Sequence, residues 1–273
     1  MDVLVTGAFG RVGTALIEHL DDEYSFRYFD RADAPGYDPV VGDVNDYEAF
    51  APAFEGQDAV VHLAAAAAVD SDWNDVLESN LIGVRNCLRA AREHEVETVV
   101  FASSNHVVGM YEEEHAPDLY EPDHPLTLDH TAPVRPDSYY GTSKVWGEAL
   151  CRYFVENFEY PKQAYQLRIC SVRYPEYDHP YGDAERGVDD GRWDRDSPEY
   201  REAVARLKAT WQSRRDIADL VRCCLDDDEV TFDIFYGVSD NSRRWFDIDH
   251  ARSVVGYEPE DSADEWDRPP ETE

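Results

Sequence analysis

Lysine is almost missing from this chain. Of 25 basic residues in 273, only Lys144, Lys162 and Lys208 are lysine, and they stand against 59 Asp and Glu, for a formal net charge of −34. The shortage of positive charge argues against nucleic acid and anionic membranes as partners, because both are repelled at long range by such a surface. Cysteine is sparse as well. Cys87, Cys151, Cys170, Cys223 and Cys224 are odd in number, lie among apolar residues and show no CxxC or Cys/His ligand spacing. Neither a disulfide framework nor a metal site is expected from them; they read as free thiols of a reducing cytosol. Long hydrophobic runs are lacking too. The longest apolar window, 58–69, is too short to span a bilayer, and MDVLVTGAFGRVG has no basic segment followed by a long apolar one. These absences lead to the expectation of a cytoplasmic protein.

What is present is enough for a core. Hydrophobic residues make up 42% and aromatics 12%, whereas acidic disordered chains are poor in aromatics. The charge therefore belongs to the shell of a folded protein. Such a lysine-poor, acidic shell fits a cytoplasm of very high salt, where screening mutes self-repulsion; an ordinary acidic enzyme of a mesophile is the alternative. The length suits one large α/β domain, or one domain with a small appendage.

The first half alternates strand and helix signals. Val3-Leu4-Val5, Phe26 to Phe29, Ala59 to Leu63, Thr98 to Ala102 and Gln166 to Ser171 read as buried strands. Gly13 to Leu20, Val76 to Glu93 and Lys144 to Phe158 read as amphipathic helices between them. Continuous apolar strands separated by helices predict a doubly wound parallel sheet of Rossmann type. Residues 1–172 are expected to form the dinucleotide-binding core, and 173–273 a small C-terminal substrate-binding part. In the latter, about 174–201 has turn residues, charges and aromatics without a clean period, which predicts a surface insertion or lid. A helix near Asp216 to Leu225, a strand at Phe232 to Tyr236 and a helix at Asp249 to Val255 follow. The acidic stretch 258–273 is expected to fray.

Gly7-Ala8-Phe9-Gly10-Arg11-Val12-Gly13 follows the first strand and opens a helix. In a dinucleotide-binding turn the first glycine makes the turn, the second admits the pyrophosphate, and the third lets helix and strand pack closely. Three glycines alone mark only a tight turn; the strand before and the helix after give them weight. Asp30, ending the second strand, is placed to accept ribose hydroxyls and favours NAD over NADP, although Arg31 beside it offers a partner for a 2′-phosphate. Asp43 and Val44 stand where an adenine would lie, and Leu63, Ala64 and Ala65 end a strand with small side chains; both features also fit ordinary strand-end turns.

Tyr140-Gly141-Thr142-Ser143-Lys144 puts a phenol and an amine at i and i+4, one turn apart on a helix face. A nearby ammonium favours the phenolate, which a tyrosine general base requires. Ser104 lies just past the end of a parallel strand, where such sheets bind ligands. Each feature occurs by chance elsewhere; glycine turn, serine pair and Tyr/Lys in this order are much rarer together.

With these motifs the chain resembles the extended short-chain dehydrogenase/reductase family over nearly its whole length. TGAFGRVG resembles the family's nucleotide motif, VVHLAA its second signature, and ESNLIGVRN the helix carrying its asparagine, here Asn80. YGTSK resembles the active-site motif. The resemblance implies Tyr140 as acid/base, Lys144 as its partner and a ribose contact, Ser104 as stabiliser of the reacting oxygen, and Ile169, in LRICS, against the nicotinamide. FASSNH, followed by RPDSYYGTSK, is similar to the sugar 1-dehydrogenases, which implies that Asn105 and His106 touch the sugar. In the uronate enzymes of that group a carboxylate-binding arginine falls near Arg206, but the preceding insertion leaves its register open; a helix-surface arginine is the alternative. The long insertion itself is closer to the L-arabinose enzymes.

The resemblance implies oxidation of an aldose, L-arabinose or a related sugar such as D-galactose, at C1 with NAD or NADP. A uronate or glucose 6-phosphate is the alternative substrate, and a nucleotide-sugar epimerase or dehydratase a more distant reading. A dimer or tetramer, through the helices 76–93 and 144–158, is also implied.

Overall fold

The computed structural model describes residues 1–270. Seven strands form one parallel sheet: β1 Asp2–Thr6, β2 Ser25–Asp30, β3 Val40–Val41, β4 Ala59–His62, β5 Thr98–Ser104, β6 Gln163–Ile169 and β7 Phe232–Gly237. Their order is β3-β2-β1-β4-β5-β6-β7, so the order reverses at β1 and β4. The helices are α1 Arg11–Leu20, α2 Tyr47–Phe50, α3 Trp73–Asp75, α4 Gly83–Glu93, α5 Met110–His115, α6 Tyr139–Asn157, α7 Gly182–Asp189, α8 Pro198–Thr210, α9 Arg214–Asp226 and α10 Asp249–Val255. The stretch Val76–Ile82 joins α3 to α4 as one wide π-helical turn. The doubly wound fold is thus as the strand pattern requires. Val3, Leu4 and Val5, and every residue of β5, are buried because each strand has a helical layer on both sides.

The two faces hold separate cores. On one, α1 and α9 cover Val3, Val5, Val61 and Val100; on the other, α2, α4 and α6 cover Leu4, Val60, Val99 and Phe101. β1 and β4 register with Thr6 opposite His62. Their side chains join by a Thr6 Oγ1–His62 Nδ1 hydrogen bond of 2.8 Å directly under the cleft floor.

Two expectations for the C-terminal third need correction. The segment 174–201 is not patternless: it contains α7 and the start of α8, with His179, Tyr181, Ala184, Glu185 and Tyr200 buried. Its order comes from polar pairing, which leaves no hydrophobic period to read. Glu185 accepts from Tyr200 Oη at 2.5 Å and pairs with Arg195. Nor does 258–270 fray. The amides of Glu260 and Asp261 donate to buried Asp216, Ala263 is buried, and the Trp266 carbonyl accepts from Lys208 Nζ at 2.6 Å. Residues 271–273 of the expected tail lie outside the described residues.

Candidate active site

The strand ends β1, β2, β4, β5 and β6 open on a single cleft of about 720 Å³, at the carboxyl side of the sheet where the order reverses. Its wall contains Gly7, Phe9, Gly10, Arg11, Val12 and Gly13 from the glycine turn, then Asp30, Arg31, Asp43, Val44, Leu63, Ala64 and Ala65. Ser104, Asn105, His106, Tyr140, Lys144, Ile169 and Arg206 also line it. One expected contact is not in that wall. Asn80 is buried behind it, donating to Ser143 Oγ at 2.9 Å and accepting from the Ala66 amide at 2.7 Å, so it fastens the loop after β4 to α6.

At the glycine turn, side chains would collide. Gly7 has φ +67°, and a Cβ there would stand 2.8 Å from the Ala64 amide nitrogen; at Gly13 a Cβ would meet the Ala8 carbonyl oxygen at 2.3 Å. The amino end of α1 has Gly10 as its cap and no side-chain hydrogen bond to its amides. By contrast, Ser138, Ser197 and Ser213 cap α6, α8 and α9 with their hydroxyls. An uncapped helix start with bare backbone on a cleft is an anion-binding arrangement. Arg11 projects beside it, near the Tyr174 ring. Burial, Arg173 and Arg186 all lower the affinity of Arg11 for its proton. Across the turn, Asp30 accepts from the Phe9 amide at 3.0 Å and, through its other oxygen, from the Ala32 amide at 3.0 Å. The residues present thus fit a dinucleotide: amides and a cation for its phosphates, a fixed carboxylate for a ribose.

The tandem tyrosines separate cleanly. Tyr139 is 60% exposed and packs edge-on against Trp73, while Tyr140 turns into the cleft. Lys144 is only 3% exposed; its Nζ donates to the Ala102 carbonyl at 2.6 Å and lies 5.5 Å from the Tyr140 ring centre. Burial pushes the Lys144 ammonium down to about 7. Burial also pushes the Tyr140 phenol up, while the Ser104 hydroxyl and Arg11 pull it down. Burial outweighs both. Ser104 caps the turn Asn105–Val108, its Oγ accepting from the His106 amide at 3.2 Å. The His106 ring meets Tyr140 edge-to-face at 6.0 Å, and its Nδ1 is 2.6 Å from Asp137 Oδ2.

Behind these groups lies a buried polar brace. Glu148, one turn after Lys144, accepts Ser103 Oγ at 2.6 Å and both Arg168 Nε and its terminal nitrogen at 2.9 Å; Arg168 also donates to Tyr236 Oη at 3.0 Å. At the far end of the cleft, Arg206 is held by both Glu112 oxygens and Arg173 by both Asp183 oxygens. Arg173 also lines the cleft. Its place just after β6 matches the strand-end rule. Asp137 is not singled out by the motif, although it stands directly before the helix-capping serine in RPDSYYGTSK.

Among the described residues, one group outside the cleft has the side chains of a metal site: His130, Asp233 and His250. The two imidazoles are stacked 3.6 Å apart at 14°, and His250 Nε2 is engaged by Asp233. The in-plane lone pairs of parallel rings do not converge on one point, as metal ligation requires. No helix among the described residues is long and apolar enough to cross a membrane.

Comparison with known proteins agrees with this geometry. A "NAD-dependent glucose-6-phosphate dehydrogenase" of Haloferax volcanii is 37% identical over 97% of this chain and 95% of its own length. The "L-arabinose 1-dehydrogenase (NAD(P)(+))" of the same organism is 32% identical over 96% of this chain and 97% of its own. The solved structure of a mutated uronate dehydrogenase superposes with a TM-score of 0.76 at 31% identity, covering 97% of this chain and 83% of that one. The pattern of the NAD dependent epimerase/dehydratase family matches residues 3–192. With the glycine turn, the Tyr140/Lys144 helix and the strand order all in place, the chain belongs to the NAD dependent epimerase/dehydratase family.

Proposed function

We propose that this protein oxidises a cyclic aldose at C1 to the aldonolactone, with NAD or NADP. The observation that carries it is the convergence of Ser104, Tyr140 and His106 on one cleft with the uncapped α1 turn and Asp30. Gly7, Phe9 to Gly13, Asp30, Arg31, Asp43, Val44, Leu63 to Ala65, Lys144 and Ile169 would hold the dinucleotide, which when bound supplies the hydride acceptor. Tyr140 takes the proton of the anomeric hydroxyl as general base, its phenolate favoured by Arg11 and by Lys144 when charged. Ser104 holds the reacting oxygen, and Asn105 and His106 hold ring hydroxyls. Residues 1–172 supply the cofactor side and 173–273 the opposite wall, with Arg173 and Arg206. The protein works in the cytoplasm, away from nucleic acid and membranes. Exposed Trp73, Ile82, Tyr139 and Tyr153 on the α3–α4 and α6 surface support a homodimer or homotetramer built through these helices.

A second reading is favoured by the arginines. Arg11, Arg173 and Arg206 all line the cleft, and all three favour the charged form of Asp183. That cluster suits a sugar bearing a phosphate or carboxylate, whereas the two bidentate carboxylates that neutralise Arg173 and Arg206 suit a neutral aldose. The test is a reduction panel at high salt with L-arabinose, D-galactose, D-glucuronate and glucose 6-phosphate, each with NAD and NADP. One sugar should be turned over by the wild type and not by Tyr140→Phe, while Tyr140→Phe still binds NAD. Equal turnover by that variant would sink the mechanism.

A further inference from the structure

The His106–Asp137 pair is built more carefully than a contact to a passing sugar hydroxyl needs. Asp137 Oδ2 meets His106 Nδ1 at 2.6 Å, and its Oδ1 accepts from Ser138 Oγ at 2.8 Å. That serine oxygen in turn accepts from the Gly141 amide at 3.0 Å, capping the helix that carries Tyr140. The carboxylate fits only because two neighbours lack side chains. A Cβ on Gly109 would stand 1.9 Å from Asp137 Oδ2, and one on Gly141 would stand 2.4 Å from the His106 carbonyl oxygen and 3.2 Å from Asp137 Oδ1. The Asp137 side chain is 9% exposed and that of His106 20%, so the pair is largely shielded, and His106 lines the cleft.

The chemistry of the pair is one-sided. A carboxylate only accepts hydrogen bonds, so the ring nitrogen facing it must carry a proton. In a neutral imidazole the other nitrogen, Nε2, is then the acceptor. We propose that Asp137 is a positioning residue that fixes the neutral His106 as its Nδ1–H tautomer, so that the ring offers an acceptor rather than a donor to a sugar hydroxyl beside Tyr140. This rests on the sugar-oxidising reading and adds a specificity rule to it: the hydroxyl at His106 must donate, and a substrate with no hydroxyl hydrogen at that place is rejected. Because Ser138 ties Asp137 to the start of α6, the same contact sets the ring's position relative to Tyr140.

The test uses the whole chain at high KCl. Nitrogen NMR of the imidazole rings, assigned with His106→Gln, reads the tautomer directly and needs no substrate. The wild type should show a protonated Nδ1 and an unprotonated Nε2 at His106; Asp137→Asn and Asp137→Ala should shift that signal towards the Nε2–H form or a mixture. For the sugar turned over, Asp137→Asn should raise KM about tenfold, as expected for one lost hydrogen bond, with NAD affinity unchanged within about twofold. In a His106→Ala background the further change Asp137→Asn should add almost nothing, because the two act as one unit. A His106 ring already in the Nε2–H form, or full additivity of the two substitutions, overturns the proposal. A silent sugar panel with the tautomer found as expected would count against the activity and leave the Asp137–His106 pairing standing.

Discussion

Asp30 does two jobs with one carboxylate: it clasps the Phe9 amide and its own turn, and it presents negative charge to the end of β2. A 2′-phosphate there would meet that charge directly. Asp30→Ala should therefore raise kcat/KM with NADP relative to NAD by about tenfold or more, with Arg31 left to receive the phosphate; an unchanged ratio would remove Asp30 from cofactor selection. Lys144 shows the cost of placing an amine inside the sheet's edge. Burial holds its folded-state pKa at about 7, well below its ordinary value near 10.4. Between those limits the unfolded chain binds the extra proton, so this term makes the protein more stable as pH rises from about 7 to about 10. Below about 7 both states are charged and the penalty stays constant. Lys144→Met should flatten the rise of Tm with pH over that window, measured calorimetrically at fixed salt. A slope identical to wild type would mean the ammonium is not disfavoured by its site.

The helices differ in how they begin, and that difference places the chemistry. α6, α8 and α9 are capped by serine hydroxyls, whereas α1 begins without a side-chain cap and with its first turn on the cleft. α6 has a second anchor at its middle, where Glu148 binds Ser103 of β5 and Arg168 of β6, and Arg168 binds Tyr236 of β7. Arg168 is 2% exposed. Removing Glu148 would strand a buried guanidinium, so Glu148→Ala should destabilise the fold by about 3–5 kcal/mol in urea unfolding at fixed KCl. A loss below about 1 kcal/mol would show that water or another acid takes over the pairing. The strand-helix pattern made most of these elements legible, because buried parallel strands are continuous apolar runs. It could not show β3, whose two residues are too few for a period, or α7 and α8, which bury the polar contacts of Glu185 and Tyr200 along with few apolar side chains.

For the whole molecule, a charge of −34 surrounds a site that must attract an anion. The two coexist because the attraction is local. It comes from the α1 amides, Arg11, Arg173 and Arg206 inside the cleft, while the acidic shell acts over longer distances and is the part that salt screens. The midpoint of thermal unfolding should therefore climb by several degrees as KCl goes from about 0.2 M to about 2 M, where the screening length falls from roughly 7 Å to roughly 2 Å. A midpoint insensitive to KCl would mean that the shell's repulsion is already balanced within the folded state.

The residue order alone determined the parallel sheet's main strands, the glycine turn, the pairing of Tyr140 rather than Tyr139 with Lys144, and the position of Ser104 at a strand end. These follow from continuous apolar runs, a helical period of 3.6 residues and steric limits at glycine, all of them local. Only the tertiary structure decided that Asn80 fastens a wall instead of lining it and that Arg206 is held by Glu112. It alone brought Asp137 to His106 and folded 258–270 onto Asp216. Each of these depends on a partner distant in the chain or on side-chain direction across a loop, and a charged or amide residue chooses such a partner by geometry that no sequence period records.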